Sequence, residues 1–154
     1  MKADLRLVGL AVAFALGLGV LAAVPAEAQG LQFFAVTPCR LVDTRQPAHA
    51  PALTSGVTRN VLVQTRCGIP SGAKAAALNV TITQPSQAGH LTFWPSGGTA
   101  PGVSTINFVL GEPALANGAI VPLSTNLSGD LSVRPFVWNN GNVHLILDVT
   151  GYFM

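Results

Sequence analysis

Nine residues near the start of the chain, Thr37 to Arg45 (TPCRLVDTR), combine a cysteine, an aspartate and two arginines, although charged residues make up only 9% of the sequence. A carboxylate in such a cluster could act as a general acid, a general base or a ligand. It could instead form a structural latch, because a partly buried aspartate needs hydrogen bonds from amides or from an arginine. We predict a latch between Asp43 and Arg45 and keep acid–base chemistry as the alternative.

The strand geometry of this segment predicts which side chains meet. Residues two apart share a face of a strand, so Asp43 and Arg45 should lie on one side together with Cys39 and Leu41. Arg40 should then point to the opposite side. This arrangement places the predicted latch beside Cys39.

The other groups that could take part in acid–base or metal chemistry are scattered. General acid–base catalysis usually needs a second group, and an Asp43–Asp148 pair, as in a glycosidase, is the least favoured possibility. Asp130 follows Gly129 in a turn signal and is predicted to face water. The histidines lack HxH and HExxH spacing, so no metal or cofactor is expected, and they are interpreted as solvent-facing or hydrogen-bonded residues: His49, His90 and His144.

Aromatic residues form the second candidate site. In a pair such as Phe93-Trp94, one ring should face the core and the other should point away from it. Outward rings can stack on sugars or dock on another protein, unless loops or a second sheet cover them. The residues predicted to contact a ligand or partner are Phe33, Phe34, Trp94 and Trp138.

The N-terminus has the organisation of a secretory signal. Lys2 and Arg6 precede an uncharged apolar run, residues 7–24, and an A-x-A motif follows. We predict that residues 1–28 are a signal peptide and that cleavage leaves a single domain, residues 29–154. The alternative is that the apolar run, of roughly 18 residues, stays as an uncleaved membrane anchor.

The two cysteines, Cys39 and Cys67, both lie in the part predicted to be exported. Outside the cytoplasm a pair of thiols usually forms a disulfide, and we predict a Cys39–Cys67 bond. The alternative is a nucleophilic Cys39 whose pKa is lowered by Arg40. Two cysteines without a nearby histidine pair are a poor zinc site.

Charge restricts the classes of partner. The chain has 8 lysines and arginines against 6 acidic residues, with no basic run and no interleaving of basic and aromatic residues. Nucleic acid is therefore not expected as a partner, and membrane contact is expected only through an uncleaved signal segment. A surface poor in charge suits packing against copies of the same chain or against cell-envelope components.

The exported part is predicted to be all-β. Residues 78–83 (LNVTIT) alternate apolar and polar side chains, as a half-buried strand should. Residues 73–78 (AKAAAL) are expected to form at most one turn of helix. Further strands are predicted at 31–36, 59–65, 91–94, 104–110, 118–123, 131–138 with a break at Pro135, and 143–153.

Turn signals separate these strands and indicate the fold class. Asn140-Gly141 lies between the last two strands and predicts a hairpin there. Short strands with turns at short spacing predict an antiparallel β-sandwich, of jelly-roll or immunoglobulin-like type, with one disulfide.

Several ordered blocks resemble those of a family of secreted bacterial β-rich domains of undefined function: TPCRLVDTR, CGIP, ALNVTITQPSQAGHLTFWPSG, STINF and VHLILDVTGYF. The resemblance extends from about Val36 to Phe153. It implies secretion or a bacterial cell-surface location, a β-rich fold and no established catalytic activity. The chain departs from the family's Arg-Ala-Asn-Asn run, where it has residues 115–118 (LANG), so any ligand or salt bridge of that arginine would be lost.

These observations predict a secreted structural or interaction module rather than an enzyme. After cleavage the apolar segment Gln29 to Val36 (QGLQFFAV) would become the free N-terminus. It could pair within its own sheet, or it could add to the sheet of the next copy and build a filament. The alternative function is a carbohydrate-binding module that uses exposed aromatic residues, and the least favoured is a hydrolase.

Overall fold

The strands pair into two antiparallel sheets that pack face to face, which confirms the predicted β-sandwich. The structure is a computed structural model that describes residues 30–126 and 129–154, so the predicted signal peptide lies outside the described residues. The strands are β1 (Phe33–Asp43), β2 (Leu53–Thr54), β3 (Arg59–Val61), β4 (Ala75–Thr83), β5 (Gly89–Pro95), β6 (Ile106–Phe108), β7 (Leu115–Pro122), β8 (Leu131–Val137) and β9 (Asn142–Phe153).

The first sheet has the strand order β1-β9-β4-β7, with β2 also pairing with β9, and the second sheet has the order β3-β8-β5-β6. Two short 3-10 helices, Pro47–His49 and Trp138–Asn140, lie in connections. Within the described residues, no helix is long and apolar enough to cross a membrane.

Alternation along the strands places one face of each sheet in a common core. On β4, Leu78, Val80 and Ile82 are buried, whereas Asn79 and Thr81 between them are partly exposed. The inward residues of β9 follow the same rule, and the second sheet supplies the opposing layer of apolar side chains. Burial of this apolar surface, at about 25 cal/mol per Å², is the main favourable term for the fold.

Asp130 is 0% exposed, so the expectation that it faces water is wrong. Its carboxylate accepts hydrogen bonds from the backbone N–H groups of Val63 at 2.8 Å and Gln64 at 2.7 Å. The Gln64 side chain in turn donates to the carbonyl of Ser124 and accepts from the N–H of Gly72. Asp130 therefore satisfies buried amides of the β3–β4 connection, which would otherwise be left unpaired.

The alanines at the start of β4 form strand, not a turn of helix. Ala75 to Ala77 pair with β9 on one side and with β7 on the other. Two ladders of backbone hydrogen bonds outweigh the helix propensity of alanine, which is a weak preference.

The hairpin predicted at Asn140-Gly141 is absent, because β8 and β9 belong to different sheets. Asn139 and Asn140 do adopt the left-handed conformation, with φ of 55° and 53°, but they turn the chain from one sheet to the other. An asparagine-rich turn therefore reverses the chain here without pairing the strands beside it.

The break predicted at Pro135 is also absent, because β8 continues to Val137. The Pro135 carbonyl accepts a hydrogen bond from the N–H of Gly56, in the connection between β2 and β3. The N and C=O of one residue point to the same side of a strand, so the missing N–H faces this connection. Pairing with β3 has already ended there, at Arg59, so the proline removes no ladder hydrogen bond.

The predicted Cys39–Cys67 disulfide is confirmed, with the two Cα atoms 5.8 Å apart. It joins β1 at the edge of the first sheet to the β3–β4 connection, across a sequence separation of 28 residues. Cys39 and Cys67 also pack against the apolar core. The bond thus fixes the middle of an edge strand.

Replacing both cysteines with serine should lower the free energy of unfolding by about 3–4 kcal/mol, because the unfolded chain regains the entropy of a loop of this length. Urea denaturation followed by circular dichroism measures the change. Wild-type protein under reducing conditions is the matched comparison and should lose a similar amount. An unchanged unfolding midpoint in both cases would contradict this role of the disulfide.

Candidate functional site

Asp43 and Arg45 form a bidentate ion pair at the end of β1. Arg45 donates from Nε to Asp43 Oδ1 at 2.9 Å and from Nη2 to Oδ2 at 2.7 Å. The backbone N–H of Arg45 also donates to Oδ1, at 3.1 Å. The Asp43 carboxylate is buried, and charge-assisted hydrogen bonds of this kind compensate the loss of its hydration.

Arg40 extends the latch to the central strand of the first sheet. It donates to both carboxylate oxygens of Asp148 on β9, at 2.7 and 3.0 Å, and its Nη1 lies 3.6 Å from Asp43 Oδ2. The prediction that Arg40 and Asp43 point to opposite sides is therefore wrong. A register shift between Arg40 and Val42 adds one residue to β1, and the strict alternation of sides is lost at that point.

The electrostatics of the latch favour a structural role for Asp43. Hydrogen bonds from the Arg45 side chain, with smaller contributions from its backbone N–H and from the charges of Arg45 and Arg40, lower the pKa of Asp43 to about 2. A general acid or base works best with a pKa near the operating pH. Both carboxylates of the hydrolase alternative, Asp43 and Asp148, also contact the same guanidinium group.

The three histidines lie in separate environments. His49 accepts a hydrogen bond from the N–H of Asp43 at Nδ1, and His144 shares a hydrogen bond with the hydroxyl of Thr44. His90 stacks on Phe136. Within residues 30–126 and 129–154, no group of three or more histidine, cysteine or acidic side chains could hold a metal ion.

Phe33 and Phe34 lie on the first residues of β1, which pair with the end of β9. Phe33 is 49% exposed, and its ring centroid is 5.1 Å from that of Phe153. Phe34 stacks on Tyr152 at 5.2 Å with an interplanar angle of 14°. The N-terminal segment thus pairs within its own sheet, and ring contacts supplement the backbone ladder there.

A bulge separates this segment from the rest of β1. From Ala35 to Cys39 the strand advances four residues, while β9 advances two, from Gly151 to Val149. We call Leu31–Ala35 the terminal arm and Val36–Pro38 the bulge. The disulfide at Cys39 and the latch follow the bulge directly, so they fix β1 only after the arm has ended.

The terminal arm packs directly against Gly151 of β9. A Cβ atom at this position would overlap the ring of Phe33 and lie 2.8 Å from the carbonyl oxygen of Phe34. Real Cβ atoms do not approach other atoms so closely, so the arm docks only because residue 151 has no side chain.

Trp94 is 6% exposed, so its predicted role as an outward contact residue is wrong. Its indole N–H donates to the carbonyl of Gly98 at 3.1 Å, and the guanidinium of Arg134 lies 5.6 Å from the ring centroid. The arginine and the β5–β6 connection therefore cover a ring that the strand itself would leave on the outer face.

Trp138 is 60% exposed and meets Phe136 edge to face, with 5.3 Å between the ring centroids. Arg134, Phe136 and Trp138 are two residues apart, on the outer side of β8 and its continuation. A spacing of two residues in the sequence indicates that these three side chains share a strand face. The predicted break at Pro135 hid this pattern, because it divided the strand between Arg134 and Phe136. Arg134 and His90 are the residues of this surface that sequence reasoning missed.

Exposed aromatic rings thus occur in two regions, the terminal arm on the first sheet and the outer face of the second sheet. No family model matches the sequence, and no curated protein is significantly similar to it.

Acid should weaken the fold through Asp43. Its pKa in the folded protein, about 2, is below the ordinary value of 3.8, so the stability from its ionised form is complete above about pH 4 and is lost as the pH falls towards 2. An Asp43→Asn variant should be less stable at pH 7 and should lose less stability between pH 4 and pH 2 than wild type.

Urea denaturation at a series of pH values measures both effects. Glu112→Gln, in the turn after β6, is the matched control and should keep the wild-type pH dependence. An Asp43→Asn variant with the same loss below pH 4 as wild type would contradict the assignment.

Proposed function

We propose that the protein is an exported structural module that assembles with copies of itself by exchanging the terminal arm. The observation that supports this most directly is the position of the anchors on β1. The disulfide and the latch fix the strand from Cys39 onward, whereas the arm before the bulge is held by backbone pairing and ring contacts with the end of β9.

Exchange would preserve every contact that the arm makes. Its ladder to Phe153, Tyr152 and Gly151, and its two ring pairs, are formed with residues that every copy presents. The arm of one copy can therefore replace the arm of another at the same place, and only the bulge has to change conformation. Such exchange of an identical element is a low-cost route to assembly.

The ring contacts that hold the arm are weak compared with the stability of a folded domain. Aromatic pairs contribute about 0.5–1.5 kcal/mol each beyond their burial, so the two ring pairs of the arm account for about 1–3 kcal/mol. A folded domain is typically stable by about 5–15 kcal/mol. The arm can thus leave its place while the rest of the sandwich stays folded.

The composition of the arm supports strand addition. No charged residue occurs from Gly30 to Cys39, and Leu31 and Phe33 are exposed. Charged side chains are a common means by which edge strands avoid pairing with other chains. The arm lacks that protection, and its side chains are of the kind that stabilises a strand added to another sheet.

The direction of exchange decides the product. If two copies exchange arms reciprocally, a closed dimer results, whereas donation from each copy to the next yields an open chain of subunits. The free N-terminus that export would create, and the disulfide that an oxidising compartment would maintain, favour assembly outside the cell. We therefore propose extracellular filaments as the product.

Replacing Gly151 with valine should abolish assembly, because the new side chain occupies the place of Phe33 in every copy. We expect filaments or oligomers of the wild-type protein, residues 29–154, in electron microscopy and in size-exclusion chromatography with light scattering. The Gly151→Val variant should be monomeric, with an intact sandwich by circular dichroism.

Gly118→Val is the matched control, because a Cβ at this strand glycine would meet no atom within 4 Å. This variant should assemble as wild type does. Deletion of residues 29–34 is a second test that leaves Gly151 unchanged, and it should also yield a folded monomer. Filaments that survive the deletion, or a wild-type protein that stays monomeric at all concentrations, would refute arm exchange.

A further inference from the structure

A groove of about 350 Å³ lies on the outer face of the second sheet, on the opposite side of the sandwich from the latch. Its walls are formed by β5 and β8 on one side and by the segment Pro101–Val103 on the other. The size is at the lower end of the range for small-molecule sites, about 300–1,000 Å³. Its polar and aromatic lining residues are His90, Thr92, Arg134 and Phe136.

Two strong hydrogen-bonding groups converge on this groove without a protein partner. Among residues 30–126 and 129–154, neither the Arg134 nor the His90 side chain has a hydrogen bond or an ion pair, although both side chains make ring contacts. The guanidinium of Arg134 lies over the Trp94 ring, which orients it and leaves its N–H groups available. A stacked guanidinium is well suited to bidentate binding of a carboxylate.

The charge of this face favours an anionic ligand. The carboxylates of Asp43 and Asp148 are bound to arginines on the first sheet, and Asp130 is buried. In the described part of the chain, no acidic side chain lies within 4 Å of Arg134. A bound carboxylate would therefore meet an uncompensated positive charge.

The aromatic residues beside the groove indicate which chemical groups the anionic ligand has in addition to its carboxylate. Phe136, which lines the groove, is 43% exposed, and Trp138, which meets it edge to face, is 60% exposed. Exposed rings next to hydrogen-bonding groups suit a ligand with an apolar C–H surface and polar edges. Sugar rings have this character, and a uronic acid adds the carboxylate.

We propose that this face binds an acidic polysaccharide. A uronic acid residue occupies the groove with its carboxylate on Arg134 and its hydroxyl groups near His90 and Asn107, which is exposed and pairs with His90 across β5 and β6. A neighbouring sugar ring packs on Trp138. The site lies on the second sheet, so it does not depend on exchange of the terminal arm.

Nucleic acid fits the groove less well. Single-stranded nucleic acid also stacks on aromatic rings, but its backbone is bound by several cations along a groove. Arg134 is the one lysine or arginine among the residues that line this groove in the described structure. One cation matches one carboxylate better than a run of phosphates.

Isothermal titration calorimetry with wild-type protein tests the proposal against polygalacturonate, alginate and hyaluronate. We expect at least one of these to bind, and the methyl-esterified form of the bound polysaccharide should bind about 10- to 100-fold more weakly, because a charge-assisted hydrogen-bond pair is lost. Arg134→Gln should weaken binding to a similar extent, and Trp138→Ala should weaken it by about tenfold.

Arg66→Gln is the matched control, because Arg66 is an exposed arginine that lines a different groove. It should bind as wild type does, and circular dichroism should verify that each variant is folded. Failure of all three polysaccharides to bind would overturn the proposal, as would equal binding of the esterified form or equal losses from Arg66→Gln and Arg134→Gln. Arg134-dependent binding of single-stranded RNA, with none of the polysaccharides, would assign the face to nucleic acid instead.

Discussion

Pairing along both edges of β9 is the interaction on which the first sheet depends. β4 pairs along one edge, while β1 and β2 share the other, and the inward residues of β9 are part of the core. The first sheet is incomplete until residues 142–153 are in place, because β1, β2 and β4 all pair with them. The same arrangement brings the two ends of the described chain together, since Gln32 and Met154 exchange backbone hydrogen bonds. The terminal arm thus docks on the strand that is central to the sheet.

The anchors on β1 divide this one strand into two parts with different properties. From Cys39 onward a covalent bond, a bidentate ion pair and buried apolar residues hold it, so its separation would require unfolding. Before the bulge, ring contacts and a short ladder hold it, and these can form equally well between copies. A bulge is a usual place for strand pairing to end or change direction. Its position here, directly before the disulfide, limits exchange to the arm.

Three carboxylates of this protein are compensated within the fold, whereas Arg134 is among the cations without an acidic partner in the described residues. Asp43 and Asp148 neutralise the arginines of the first sheet, and Asp130 accepts from buried amides. Arg134 has no acidic partner in the described residues and lies beside exposed rings. The proposed assembly surface is on the first sheet, and the proposed glycan surface is on the second sheet. A filament of such subunits would present one acidic-glycan groove per copy, repeated along its length.

Local chemistry determined much of what the sequence alone revealed. Alternation of apolar and polar residues predicted β4 and β9, and a spacing of two residues predicted that Asp43 and Arg45 would meet, because both depend on neighbouring residues. The disulfide could be predicted because the chain has two cysteines, which leaves one possible pairing within it. Tertiary structure decided the rest. The register shift after Arg40 that turns its side chain towards Asp43, the burial of Asp130, the covering of Trp94 and the separation of β8 from β9 all depend on contacts with residues far away in the chain. Such contacts are set by register and by packing of the two sheets, and a local pattern contains neither.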